Sequence, residues 1–213
     1  MKQDPVDTFL ELIATAQQRL VASTDPADLA AHVEDARGTL PLIAAETGPL
    51  VDVGTGAGFP GVPLLLDRGD LEGTLLDSRA KRCQHLQRVV EETGLADRVR
   101  VLNLRAEEHA AADGREHYGI AVARALAPPP VAVELCLPLL RVGGVCILHA
   151  GAVAPRDVER AAAELGGVLE LIDPVPGFDA RNRVVVRKTA PTPARFPRRI
   201  GLAAKEPLVR SQD

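Results

Sequence analysis

Residue types suited to ligand binding are concentrated between Val51 and Gly61, where an acid and four glycines follow a short apolar run. The run from Pro49 is typical of a buried strand with Asp52 near its end, and residues 62–66 are typical of a helix. Glycine is favoured where the backbone turns with positive φ or passes close to a ligand, and the following helix offers unpaired N–H groups. The stretch therefore predicts a nucleotide-type binding loop, with a glycine-rich turn in an unrelated α/β protein as the alternative.

The glycine spacing indicates which ligand this loop would bind. Dinucleotide loops carry G-x-G-x-x-G, whereas Gly54, Gly56 and Gly58 alternate here, with Asp52 two residues before the first of them. This D-x-G-x-G-x-G pattern resembles motif I of the class I S-adenosylmethionine (AdoMet) methyltransferases, in which the turn carries a methionine moiety. The resemblance implies AdoMet as cofactor and S-adenosylhomocysteine as product.

Polar residues follow three further predicted strands. Asp77 ends the second strand, where a carboxylate accepts the protons of ribose hydroxyls; a residue of the turn into the next helix is the alternative. Ser78 is expected to cap that helix. Glu107 follows the third strand, and Arg124 ends the fourth. Because parallel strands end at one edge of a sheet, these residues are expected to converge with Gly54.

Alternating apolar segments predict a class I methyltransferase (Rossmann-like) α/β fold, a doubly wound and mostly parallel seven-stranded sheet. Helix-start signals at Asp4-Pro5 and Asp25-Pro26 predict two helices before it, the first with apolar positions as far as Leu20. A later helix is expected to end at Gly143-Gly144. We expect an N-terminal helical extension at 1–48, an AdoMet-binding domain at 49–190, and a basic tail at 191–213 reached through a proline-rich linker.

Composition narrows the class of protein. The chain is 46% hydrophobic and 25% charged, and its 213 residues contain no apolar run near the ~20 residues of a membrane span, so a cytoplasmic protein without membrane contact is expected. Three cysteines without C-x-x-C spacing favour neither a disulfide framework nor a metal site. Residues 181–213 hold nine Arg or Lys against two acids, about +7, which leaves about −11 on the rest. Such asymmetry is typical of a face that meets a polyanion, and a solvated tail is the alternative.

The acceptor leaves little trace in the sequence. Amine-directed base methyltransferases place an Asn/Asp-Pro-Pro-aromatic motif after strand four, but residues 123–128 here contain neither the acid nor the aromatic. Cys136 lies in an apolar helix, which favours a packing role over that of a nucleophile. An acceptor that is already nucleophilic, such as guanine N7, needs only alignment and a suitable electrostatic field. Acceptors of other kinds would also leave no motif.

The chain resembles the glucose-inhibited-division B (GidB), or RsmG-type, methyltransferases, which modify guanine N7 in small-subunit ribosomal RNA. The resemblance covers most of the chain. It is carried by DVGTGAGFPGVPL at 52–64, LLDSRAKRCQHLQ at 75–87, RAEE at 105–108, ARAL at 123–126, FPRRIGLAAKEPL at 196–208, and a segment from His32 to Ile43.

The resemblance also implies roles for individual residues. Arg124 is the candidate catalytic residue, steering the AdoMet carboxylate or an RNA phosphate, with a structural ion-pair role as the alternative. The small ribosomal subunit is the implied partner, and a monomer is expected. Cofactor contacts are expected from Asp52, Gly54, Gly56, Gly58, Phe59, Asp77, Ser78, Ala106, Glu107 and Arg124, and RNA contacts from His32, Arg198, Arg199 and Lys205.

Departures from the family pattern fall on the expected acceptor side. Ala150 stands where the family usually has lysine, and His149 beside it is expected to point to the other side of its strand. Residues 20–24 lack the family's Asn-Leu-Thr, and Ala36 replaces a serine. Two alternatives therefore stay open: a divergent paralogue that methylates another acceptor, and a non-catalytic AdoMet-sensing or RNA-binding module.

Overall fold

The computed structural model describes residues 3–178 and 180–209. Seven strands form one sheet in the order β3-β2-β1-β4-β5-β7-β6. β1 to β5 pair in parallel, and β7 runs antiparallel to both β5 and β6, so the predicted mostly parallel sheet is confirmed. The strands are β1 (Leu50–Val53), β2 (Gly73–Leu76), β3 (Val99–Leu102), β4 (Tyr118–Arg124), β5 (Leu140–Ala150), β6 (Gly167–Pro174) and β7 (Asn182–Lys188).

Helices precede the sheet and connect its strands. Asp4 and Asp25 each accept a hydrogen bond from an N–H of the first helical turn, and a proline follows each, so both predicted helix starts are confirmed. Short 3₁₀ turns lie at Leu40–Ile43 and Leu137–Leu139. The α-helices are α1 (Pro5–Ala14), α2 (Pro26–Arg37), α3 (Gly61–Asp67), α4 (Ala80–Glu92), α5 (Ala106–Ala110), α6 (Pro129–Cys136), α7 (Pro155–Glu164) and α8 (Leu202–Lys205).

The two faces of the sheet are buried under different helices. Side chains alternate along each strand, so Leu50 joins the apolar cluster formed with α1 to α4, whereas Val51 joins the cluster formed with α5 to α7. Phe9 and Leu29 of the N-terminal helices belong to the first cluster. Each fully buried side chain of this size contributes about 1.5–3 kcal/mol. The N-terminal helices are thus part of the hydrophobic core.

Several element boundaries differ from the sequence-based expectation. α1 ends at Ala14, where the Thr15 hydroxyl donates to the Glu11 carbonyl, and does not continue towards Leu20. Ser78 does not cap α4. Asp77 shapes that turn instead, because its Oδ1 accepts from the Arg79 N–H at 2.8 Å, and the helix begins at Ala80.

Gly143 and Gly144 lie inside β5 and do not end a helix. α6 already ends at Cys136, and Pro138 cannot supply the N–H that would continue it. A Cβ on Gly144 would lie 2.9 Å from the Gly119 carbonyl oxygen of the neighbouring strand. The glycines therefore allow close approach of β4 and β5 at an irregularity in their register.

The expected proline-rich linker is packed on the core. Thr192 and Phe196 are buried, and Arg115 donates to both of their carbonyl oxygens at 2.9 and 2.7 Å. None of the helices within 3–178 and 180–209 has the length and apolar character needed to cross a membrane.

Gly58→Ala is expected to destabilise the protein more than Gly94→Ala. Both glycines have positive φ, at +106° and +75°, which costs an L-residue about 1–2 kcal/mol. Only at Gly58 would the new methyl also collide, at 2.8 Å from Val62 and 3.1 Å from Phe9, whereas Gly94 has open space. Denaturant midpoints at constant m-value measure the two losses. Equal losses would contradict the tight packing of the loop against α1.

Candidate active site

Asp52 fixes the β1–α3 loop through hydrogen bonds from the buried side. Its Oδ2 accepts from the Thr55 hydroxyl at 2.7 Å and from the Gly61 N–H at 2.8 Å, and the residue is 0% exposed. Burial raises the pKa of Asp52 to about 6, against the opposing effect of those two hydrogen bonds. This corrects one expectation: Asp52 holds the shape of the loop from behind and does not line a cleft.

The three alternating glycines have three different tasks. Gly54, at φ +70°, lines a cleft, and a Cβ there would lie 2.6 Å from Leu126 Cδ1. Gly56 turns its N–H to Asp77 Oδ2 at 3.0 Å. Gly58 lies against Phe9 in the core. Gly54 alone of the three lines the cleft, and its missing side chain leaves room for Leu126, which lines the same cleft.

The first cleft combines apolar walls with one fixed carboxylate. Asp77 accepts from the N–H groups of Arg79 and Gly56 and from the Arg82 guanidinium at 3.3 Å, so its orientation is set. Apolar walls suit a base, and such a carboxylate suits ribose hydroxyls. The lining residues are Val53, Gly54, Leu76, Asp77, Ser78, Leu104, Arg105, Ala106, Glu107, Leu126, Ala127, Val131, Leu135, Gly201, Ala203 and Ala204.

A second cleft of about 460 Å³ begins where β4 ends. Arg124, with a side chain 20% exposed, places Nη1 3.3 Å from His32 Nδ1. Because a guanidinium only donates, His32 Nδ1 is the acceptor and carries no proton. Burial lowers the pKa of His32, and the charges of Arg124 and Arg181 lower it further. The residues that line this cleft are Leu20, Val21, Ala22, His32, Asp35, Arg124, Ala125, His149, Ala150, Gly151, Val175, Arg181 and Asn182.

Asp35 is the anion of the second cleft. Its Oδ2 lies 3.4 Å from His149 Nδ1 and 3.8 Å from Arg124 Nη1, and its Oδ1 lies 3.7 Å from Arg183. Burial acts to raise the pKa of Asp35, but the His149 hydrogen bond and the two arginines bring it below its usual range. His149 also bonds Thr39 through Nε2 at 2.8 Å. The expectation that His149 points away from the site is therefore corrected.

Phe59 supports the second cleft from inside the core. Its ring lies 4.9 Å from that of Phe9 and 5.4 Å from that of His32, and the Arg124 guanidinium carbon is 4.8 Å from its centroid. Phe59 is buried and lies outside both sets of lining residues. It fixes the two polar side chains that do line the cleft, partly through a cation–π contact.

The basic residues expected on the RNA side separate into two groups. Arg198 forms two 2.6 Å bonds to Glu134 and points inward, which corrects its expected contact with RNA. Arg199 and Lys205 are exposed. Between them, Gly201 donates its N–H to Glu107 Oε1 at 2.8 Å, so this segment is attached to the first cleft.

Several residues of the clefts escaped sequence reasoning. Arg181 lies in the β6–β7 connection and Asn182 begins β7, both far along the chain from the glycine loop, and nothing in their spacing marks them. Gly201, Ala203 and Ala204 lie within a motif that was assigned to RNA through its arginines. These small residues lie between Arg199 and Lys205, and they were the sequence signal that could have predicted packing of this motif against the core.

Neither cysteine nor metal chemistry is indicated. Cys136 and Cys146 are buried and free. A hydrogen bond between the Cys136 thiol and Cys146, together with burial, raises the pKa of Cys136 well above its ordinary value, in keeping with a packing thiol. Within residues 3–178 and 180–209, no group of three or more His, Cys, Asp or Glu could hold a metal ion.

Two adjoining clefts at the carboxyl ends of β1, β2 and β4 in a doubly wound sheet define a class I AdoMet-dependent methyltransferase. The model of the GidB family, described as rRNA small subunit methyltransferase G, matches residues 3–168. The chain belongs to this family.

Relatives named ribosomal RNA small subunit methyltransferase G extend over most of the chain. The protein of Syntrophomonas wolfei is 37% identical over 211 residues, which cover 95% of this chain and 98% of that protein. The protein of Acetivibrio thermocellus is 40% identical over 184 residues, or 83% and 75% of the two chains. The resemblance stated from the sequence motifs is thereby confirmed.

Solved structures share the fold at low sequence identity. Cofactor-bound Rv0187 from MTB has a TM-score of 0.62 and 17% identity, with 87% of this chain and 90% of that chain covered. The T. thermophilus 16S rRNA N2 G1207 methyltransferase in complex with AdoMet and guanosine has a TM-score of 0.50 and 17% identity, with 69% and 36% covered. These likenesses confirm the class I fold.

Acidification is expected to destabilise the wild type more than a His32→Asn variant. The folded-state pKa of His32 lies below its unfolded value of 6.5, so the unfolded chain binds the extra proton and stability falls as pH drops below that value. His85, His109 and Asp52 titrate in both proteins and cancel in the difference. Urea unfolding at pH 7.5, 6.5 and 5.5 measures this difference in the free energy of unfolding between the two proteins. Parallel pH profiles would contradict a neutral His32 in the folded state.

Proposed function

We propose that this chain transfers the methyl group of AdoMet to N7 of a guanine in small-subunit ribosomal RNA. The observation that carries the proposal is the position of the β4 end between the two clefts: Leu126 lines the first, and Arg124 and Ala125 line the second. Ala125 has φ +51°, a left-handed conformation that occurs often at functional sites. The names of the relatives support ribosomal RNA as the acceptor.

When bound, AdoMet supplies an electrophilic methyl group on a sulfonium centre. The first cleft fits the nucleoside part of this cofactor. Gly54 lines its wall, and Asp77 is held ready to accept protons from ribose hydroxyls. The backbone of Ala106 and Glu107 borders the cleft where a base would be read. These residues therefore bind and orient the cofactor.

The second cleft suits an acceptor that needs no base. Guanine N7 has a lone pair and no proton to lose, and residues 125–128 after β4 offer no acid to remove one. Arg124 is held by Phe59 and Asp35, and burial lowers its pKa without discharging a guanidinium at neutral pH. We assign it the orientation of a carboxylate or phosphate. Neutral His32 accepts its hydrogen bond and adds no positive charge to the second cleft.

Arg181 supplies a cation on the acceptor side. It lines the second cleft together with Ala150, the position at which the family pattern has lysine. Its guanidinium carbon lies 3.9 Å from the centroid of the Phe178 ring, and Phe178 is 46% exposed. An exposed ring paired with an arginine is suited to stacking an unpaired RNA base and attracting its phosphate. This feature favours an RNA acceptor despite the missing lysine.

We assign residues 49–190 as the AdoMet-binding domain, residues 1–48 as a helical part that completes the second cleft, and residues 191–213 as a basic C-terminal tail. The proposal places the protein in the cytoplasm, acting as a monomer on the small ribosomal subunit. His32 and Asp35 of the helical part lie in the second cleft, which supports the first of these assignments.

Transfer from labelled AdoMet to 30S subunits that lack the modification tests the reaction itself. We expect the label at guanine N7, and Arg124→Lys is expected to lower kcat by roughly 100-fold, because lysine keeps the charge but not the planar donor set. Arg88→Lys, at an exposed ion pair on α4, is the matched control. Label on another acceptor, or AdoMet binding without transfer, would contradict the proposal.

Replacing Arg199 and Lys205 with glutamine is expected to weaken RNA binding and to reduce the slope of log K against log salt by about 0.7–0.9 per lost phosphate contact. Both side chains are exposed, so the AdoMet affinity should not change. The control is the double variant Lys81→Gln with Arg88→Gln, which removes the same charge from exposed positions of α4. A slope equal to that of this control variant would exclude the two residues from the RNA contact.

A further inference from the structure

The C-terminal segment, residues 196–206, forms part of the wall of the first cleft. Gly201, Ala203 and Ala204 lie among its lining residues, together with Gly54 and Asp77. Ala203 is buried, and Phe196 at the start of the segment belongs to the same apolar cluster as α6. The cleft assigned to the cofactor is therefore incomplete without a segment that the sequence motif links to RNA.

A buried ion pair holds this segment in place. Arg198 Nε and Nη2 lie 2.6 Å from Glu134 Oε1 and Oε2, a bidentate arrangement. The Glu134 side chain is 4% exposed and that of Arg198 is 18% exposed. Glu134 belongs to α6, whose Val131 and Leu135 line the same cleft. Loss of either partner would leave a charge without compensation in the wall of the cleft.

Two further hydrogen bonds attach the segment to its surroundings. Gly201 N–H donates to Glu107 Oε1 at 2.8 Å, and Glu107 itself borders the cleft. Arg198 Nη2 donates to the Glu206 carbonyl at 2.9 Å, so one guanidinium joins both ends of the segment to α6. Arg199 and Lys205 stay on the outside, exposed to solvent.

We propose that Arg198 and Glu134 are positioning residues for the cofactor: their ion pair holds the C-terminal segment as a wall of the AdoMet cleft. The inference rests on the proposed function, because it takes the first cleft as the AdoMet site. The inference assigns different roles to two neighbouring arginines. Arg198 acts on cofactor affinity through Ala203 and Ala204, whereas Arg199 contacts RNA.

Calorimetric AdoMet titration of the full-length protein without RNA tests this inference. Arg198→Ala and Glu134→Gln are each expected to raise the AdoMet Kd by roughly tenfold, and Arg198→Lys, which keeps one charged bond, by less. In turnover, KM for AdoMet should rise while kcat at saturating AdoMet is retained. Arg199→Ala, one residue away and exposed, should leave the AdoMet Kd within about twofold of the wild-type value.

A second variant keeps the test decisive where loss of the ion pair prevents folding. Ala204 is exposed and lines the cleft, so Ala204→Glu places a long acidic side chain at the wall without touching the pair. It should also weaken AdoMet binding by roughly tenfold. Wild-type AdoMet affinity in folded Arg198→Ala, or in Ala204→Glu, would overturn the inference. A wild-type protein that does not bind AdoMet would refute the proposed function instead.

Discussion

The buried carboxylate of Asp52 is the constraint on which both clefts depend. Its Oδ2 joins Thr55 at the start of the glycine loop to Gly61 at the start of α3, and a Cβ at Gly61 would lie 2.6 Å from that oxygen. The folded-state pKa of about 6 lies above the unfolded value of 3.8, so burial of Asp52 costs stability as pH rises between them. The two hydrogen bonds offset part of that cost, and they fix Gly54 and Phe59 on either side.

Phe59 connects the glycine loop, which Asp52 fixes, to the second cleft. Its ring contacts Phe9 of α1, His32 of α2 and Arg124 of β4, which are distant in sequence. The N-terminal helices are therefore required for the second cleft: they contribute His32 and Asp35, and their packing sets the position of Arg124. A glycine loop alone would give a nucleoside site, whereas the loop with its phenylalanine gives a site with two compartments.

The sequence predicted the sheet, the helix starts at Asp4 and Asp25, and the strand ends that meet at the first cleft, because these follow from local periodicity and capping. It did not predict Arg181 or the orientation of His149. Both depend on how β5 and β7 pair and twist, and side-chain alternation becomes unreliable at a strand end. Ser78 and the Gly143-Gly144 pair were misassigned for a related reason: Asp77 competed for the turn, and close packing of two strands competed with a helix end.

Most cations in the described C-terminal part of the chain have partners within the protein. Of the nine Arg and Lys residues after position 180, five are involved in internal contacts: Arg183 with Asp173 and Asp35, Arg187 with Glu46 and Glu170, Lys188 with Thr192, Arg195 with Glu164, and Arg198 with Glu134. Arg181 lines the second cleft, and Arg199 and Lys205 are exposed. The four arginines of this set are paired with acids, which cancel most of their contribution to a long-range field. The proposed attraction for RNA therefore depends on a few residues placed near the second cleft and on the outer side of the C-terminal segment, while the internally bonded basic residues stabilise the structure behind them.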